Sequence, residues 1–150
     1  MKKSELRTII KEEIKRVLKE AQIPGLKEKV QEVLPKAGGK LKLSSSQLVT
    51  LTRAVAISML DKNELSTAAK KVTVPEYAAD FISAYNQVVD VVNKPKITKA
   101  DLVHLEKSGP FSELRTLANR CDNSPNIPAA KFGMKLFDAL FAHPRNLPGL

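Results

Sequence analysis

The sequence predicts an all-α protein: a duplicated three-helix unit forming one compact helical domain, plus an N-terminal amphipathic helical arm. Three observations predict it. Apolar residues recur at three- and four-residue spacing along most of the chain. Proline, glycine and hydroxyl residues punctuate these runs where helices start and stop. One order of such signals also occurs twice. No strand pattern competes, because Val88 to Val92, although β-branched, continues a helical stripe and lacks period-two alternation.

The 150 residues, 43% hydrophobic and 27% charged, suffice for one core but not for two ordinary domains. The chain divides into a basic arm with a Gly-Gly hinge, residues 1–42, and a helical body, residues 43–150. In the arm, Leu6, Ile9, Ile10, Ile14, Val17 and Leu18 cover about half the circumference of a helix from Ser4 to Ala21. Ser4 is its expected N-cap, and Pro24 with Gly25 stop it. A second short helix follows from Gly25 to Leu34, closed by Pro35. The Gly38-Gly39 pair in Lys36-Ala-Gly-Gly-Lys40 is expected to be the hinge.

Within the body, Leu43-Ser-Ser-Ser-Gln-Leu-Val-Thr-Leu51 parallels Ile97-Thr-Lys-Ala-Asp-Leu-Val-His-Leu105. Each offers a hydroxyl N-cap with an amide or acid three residues on and reads as a helix start, the Ser44 to Gln47 spacing matching a capping box. Glu64-Leu-Ser-Thr-Ala-Ala69 then parallels Glu113-Leu-Arg-Thr-Leu-Ala118, and Val74-Pro75 parallels Ile127-Pro128. Each proline opens a third helix, Glu76 to Asn93 and Ala129 to Ala142. Ala78, Phe81, Ile82, Tyr85, Val88, Val89 and Val92 form the expected core stripe of the first. Phe132, Leu136, Phe137, Leu140 and Phe141 form that of the second. The units, 43–93 and 97–142, are expected to pack about a pseudo-two-fold axis.

Motifs that carry chemistry are missing. No Gly-rich phosphate loop, nucleophile elbow or dinucleotide fingerprint occurs. His104 and His143 are the only histidines and Cys121 the only cysteine, which leaves no metal-ligand spacing and no internal disulfide. The carboxylates are scattered among lysines without an acid–base pair. The expectation is therefore no enzyme, no catalytic residue, no metal and no cofactor. Tyr77, Phe81 and Tyr85 stand four apart and read as core, with base stacking as the alternative. The longest uncharged stretches fall well short of a membrane span, and no secretory leader pattern occurs.

The net charge is +9, and residues 1–43 hold 12 Lys or Arg against 6 Glu, a balance of +6. Lys2, Lys3, Arg7, Lys11, Lys15, Arg16 and Lys19, with Lys36, Lys40 and Lys42, are the candidate phosphate contacts of a nucleic-acid-binding reading. Interleaved Glu5, Glu12, Glu13 and Glu20 weaken that stripe. The apolar face of Leu6, Ile9, Ile10, Ile14, Val17 and Leu18 suits docking on protein or self-association.

The first 20 residues, Met1-Lys-Lys-Ser-Glu-Leu-Arg-Thr-Ile-Ile-Lys-Glu-Glu-Ile-Lys-Arg-Val-Leu-Lys-Glu20, resemble the openings of many small proteins of T-even-like marine tailed phages. Such phages carry leaders removed after Glu in a Leu/Ile-x-Glu pattern, which Leu18-Lys19-Glu20 fits, as does Ile10-Lys11-Glu12. The resemblance implies a structural or assembly protein, located in the host cytoplasm or the virion, and a cleavage point at Glu20. A basic helical nucleic-acid binder is the alternative.

Overall fold

A computed structural model describes residues 23–107 and 109–150. The predicted arm helix, with Leu6, Ile9, Ile10, Ile14, Val17, Leu18, the seven basic residues from Lys2 to Lys19 and the cleavage point at Glu20, lies outside the described residues.

The described chain is helical throughout, without strands. Its helices are α1 (Leu26–Val33), α2 (Ser45–Ser58), α3 (Lys62–Val72), α4 (Pro75–Val92), α5 (Lys99–Lys107), α6 (Pro110–Asp122) and α7 (Ile127–Leu140), with 3-10 turns at Leu34–Ala37, Lys40–Lys42 and Pro144–Asn146. The caps read from sequence are in place. The Ser44 hydroxyl accepts from Gln47 N at 3.2 Å while Gln47 Oε1 accepts from Ser44 N at 2.8 Å. Thr98 and Asp101 exchange the same two bonds at the start of α5, at 3.2 and 2.9 Å. Asp61 and Asn126 cap α3 and α7 through Glu64 N and Ala129 N.

All seven helices contribute to one core. At its centre lies α2, where Leu51 and the run Ala54-Val-Ala-Ile57 are wholly buried. It packs against α1, α4, α5 and α7. A helix apolar on every side has to be enclosed, and this one is. Its two buried hydroxyls are satisfied within reach: Thr52 Oγ1 donates to Leu48 O at 2.7 Å, and Thr50 Oγ1 has both Ser46 O and Glu106 Oε2 at bonding distance.

In the rest, helices α2 to α4 and α5 to α7 follow one another in the same order. The third helices, α4 and α7, both touch α2, and each is packed by both second helices, α3 and α6. That exchange is what two related units predict. The symmetry breaks at the first helices: α2 lies against α4 and α7, whereas α5 touches α4 only lightly and makes no comparable contact with α7. The cause is length. Helix α5 has 9 residues to the 14 of α2, because Gly109-Pro110 ends in the second unit what Ala54 to Ser58 continue in the first.

Two expectations need correcting. Residues 23–42 do not lie apart from the core: Leu26, Val30, Val33 and Leu34 belong to it, Lys36 O accepts from Ile97 N at 2.8 Å, and Lys36 Nζ donates to Val92 O at 2.7 Å. Gly38 and Gly39, both at positive φ, stop the preceding turn and return N–H groups to Pro35 O and Leu34 O. The glycine pair is thus a hydrogen-bonded helix stop inside the body. The second correction concerns the α7 stripe, of which Phe132, Leu136 and Leu140 are buried while Phe141 is exposed and Phe137 half-buried.

Helices α6 and α7 come close at Gly133 of α7, where a Cβ would lie 2.7 Å from Cys121 Cβ and 3.2 Å from Asp122 N of α6. Neither neighbour is the free end of a flexible side chain, so Gly133→Ala should force the hairpin apart. Overpacking of this kind costs about 1–3 kcal/mol and, at this chain length, several degrees of melting temperature. Thermal denaturation followed by circular dichroism checks it, and an unchanged midpoint would show that the α6–α7 contact is loose.

Candidate functional site

The groups that most often carry chemistry are tied into the structure. No three His, Cys, Asp or Glu side chains among the described residues converge as a metal site. Cys121 is buried under Gly133, and burial pushes its thiol up to about 11, so the thiolate is scarce at neutral pH. His143 does not serve as a cation for the end of α7. Its Nδ1 accepts from Arg145 N at 3.1 Å, and desolvation with Arg145 and Arg53 nearby lowers its pKa. Arg53 Nε instead takes the Ala142 carbonyl, at 3.2 Å. His104 is exposed and 3.2 Å from Gln87 Oε1. Of the aromatic ridge, Phe81 and Tyr85 are core, with Tyr85 Oη donating to Leu60 O at 2.7 Å, and Tyr77 is exposed.

The three described lysines of the nucleic-acid reading are divided. Lys36 and Lys42 meet Lys96 and Lys99 around a cleft of about 400 Å³ between the Leu34–Ala37 turn and the start of α5. Lys40 is elsewhere, with its ammonium on the Leu150 main-chain oxygen. Lys96 and Lys99 were not singled out in the sequence, although Lys94-Pro-Lys-Ile-Thr-Lys99 is a basic run. Within the cleft Lys36 already donates to Val92 O, the end of α4.

The most distinctive surface is apolar. On α7, Ile127 is 67% exposed, Met134 64% and Phe141 58%. These residues are seven apart, so they fall on one line along the helix, and Ala130 and Phe137 lie beside it. Phe137 and Phe141 stack, with ring centroids 6.0 Å apart and planes at 11°. The opposite side of α7 carries Ala129, Phe132, Leu136, Ala139 and Leu140 into the core. Ile127 also reaches a groove of about 680 Å³ between α3 and α7, beside Ala68, Pro128 and Lys131. Exposed apolar residues scattered singly are ordinary, but a seam at heptad spacing has the form of a helix-packing face.

Charge along this seam is sparse and ordered. Lys131 and Asp138, again seven apart, border it on one side. Lys135 of α7 is already engaged by α3, pairing with Glu64 at 3.0 Å. No ion pair among the described residues involves Lys131 or Asp138, and burial raises the Asp138 pKa. The sequence carried a signal of the seam: apolar residues of α7 occupy well over half its circumference, more than one buried face uses. No protein-family model, curated protein or solved structure matches the chain.

Asp101 offers an electrostatic check on the cap beside the basic cleft. Burial raises its pKa, but hydrogen bonds from Lys94, at 2.7 Å, and from Thr98 outweigh that and hold it below the usual carboxylate range. Its contribution is therefore present above the unfolded-state value near about 3.9 and lost as the pH falls through the lower folded value. Asp101→Ala should cost about 0.5–2 kcal/mol at neutral pH. Urea denaturation of both proteins across pH checks it: the difference should shrink below about pH 4, and a difference constant down to acid would refute the assignment.

Proposed function

We propose that this chain is a non-enzymatic structural or assembly protein that docks on other protein through helical surfaces, and that α7 is its principal docking helix. The observation that carries the reading is the exposed line Ile127, Met134 and Phe141 with Phe137 stacked against it. Covering such side chains contributes roughly 1.5–3 kcal/mol each when complete, before ordering costs, which favours a protein partner over solvent. The sequestered thiol and the scattered carboxylates support the non-enzymatic part. A setting in a tailed-phage virion or its host cytoplasm is supported by the resemblance of residues 1–20. There the amphipathic face of Leu6, Ile10, Ile14 and Val17 would be a second handle, and a mature chain beginning at Ala21 would identify leader removal after Glu20.

A photoreactive phenylalanine analogue at Met134 or Phe141, introduced in the native host or particle, tests the reading. Covalent protein adducts are expected from both positions and not from the exposed control position Glu113. Their absence from 134 and 141 would remove α7 as a docking helix.

The Lys36, Lys42, Lys96 and Lys99 cleft favours one second reading, a phosphate-contacting protein. Titrating DNA and RNA binding with salt separates the two. Affinity that is measurable at low ionic strength and falls steeply with salt advances the nucleic-acid reading; no affinity at low salt eliminates it.

A further inference from the structure

We propose that the occupant of the α7 seam is the same seam on a second copy of this chain, the two helices running antiparallel about a two-fold axis at Met134. The inference rests on the docking reading above and gives it a partner. The sequence of the seam is complementary to its own reverse. Centred on Met134, the antiparallel pairing sets Ile127 level with Phe141 of the second copy and brings Phe137 within one residue's rise, about 1.5 Å, of Ala130, so large residues meet small or aliphatic ones.

Charge selects the same arrangement. In an antiparallel pair the two residues that border the seam on one side meet their counterparts on the same side of the partner. Lys131 of each copy then lies against Asp138 of the other, and symmetry makes the pair twice. A parallel pairing sets every residue level with its own copy and leaves Lys131 and Asp138 without each other. Among the described residues neither has an ionic partner inside the chain, whereas Lys135, one turn along, does. Asp138 is also the carboxylate that follows Phe137 on α7, exposed in the single chain, where a cation from outside would offset the desolvation that raises its pKa.

A single helix-on-helix contact buries less than the roughly 800 Å² per partner of a standard interface, so the dimer is expected to be weak and to form at hundreds of micromolar. Sedimentation equilibrium of the full chain up to about 1 mM should show a monomer–dimer equilibrium. Met134→Asp should abolish it with an unchanged circular dichroism melt. Lys131→Asp or Asp138→Lys alone should weaken dimerisation by about tenfold, and the double reversal should restore it to within about threefold. A chain that stays monomeric at the highest concentration, a dimer indifferent to Met134→Asp, or a double reversal no better than either single change would overturn the proposal. The photoreactive residue at 134 separates this failure from failure of the docking reading. An adduct of twice the chain mass supports both. A link to residues 1–22 of the same chain overturns both, whereas adducts only with a different protein overturn the second copy and leave α7 as a docking helix. No adduct at all removes both.

Discussion

Burial of α2 on every side is the constraint from which the architecture follows. Leu51, Thr52 and Ala54 to Ile57 are all closed to solvent, and no single neighbour could enclose them. Helices α1, α4, α5 and α7 have to converge on it from the two ends of the sequence. The remaining helices, α3 and α6, serve this arrangement indirectly by bracing α4 and α7. A buried helix also cannot leave polar groups unmatched, and both of its enclosed threonines return their hydroxyls to the preceding turn.

Cations act here as fasteners. Arg53 closes the end of α7 on Ala142 O, Lys36 closes the end of α4 on Val92 O, and Lys40 reaches the Leu150 oxygen. Helix C-termini present unpaired carbonyls and a partial negative charge, and long basic side chains from distant parts of the sequence satisfy both. These three cations therefore join elements that are far apart in the chain. The Lys36, Lys42, Lys96 and Lys99 cleft is the exception in its density of charge, and even there one ammonium is engaged internally.

Local signals in the sequence were read well because they depend on neighbours a few residues away. Both capping boxes, the proline-opened helices and the α4 stripe are of this kind. What depends on distant contacts was read poorly. The Gly38-Gly39 pair looks like a hinge until Val92 and Ile97, 56 and 61 residues further along the sequence, are brought beside Lys36. Phe141 looks like core because it follows Phe137 at helical spacing, yet α7 has apolar residues on two sides and only the fold decides which is covered. The approach of Gly133 to Cys121 left no pattern at all, since a lone glycine inside a helix reads simply as a weak point. The same holds for the repeat: its signals are local and visible, but its broken symmetry comes from where α5 ends.

The enclosure of α2 also has a consequence for biosynthesis. The helix is complete at Ser58, but α7, one of the helices that seal it, ends only at Leu140. At roughly 5–20 residues per second, a ribosome needs on the order of 4 to 16 seconds to deliver the intervening chain. Throughout that interval the helix at the centre of the core is outside the exit tunnel or nearing it without its full cover. The two halves, although alike in their order of helices, are therefore unequal as nascent chains: the first waits for the second.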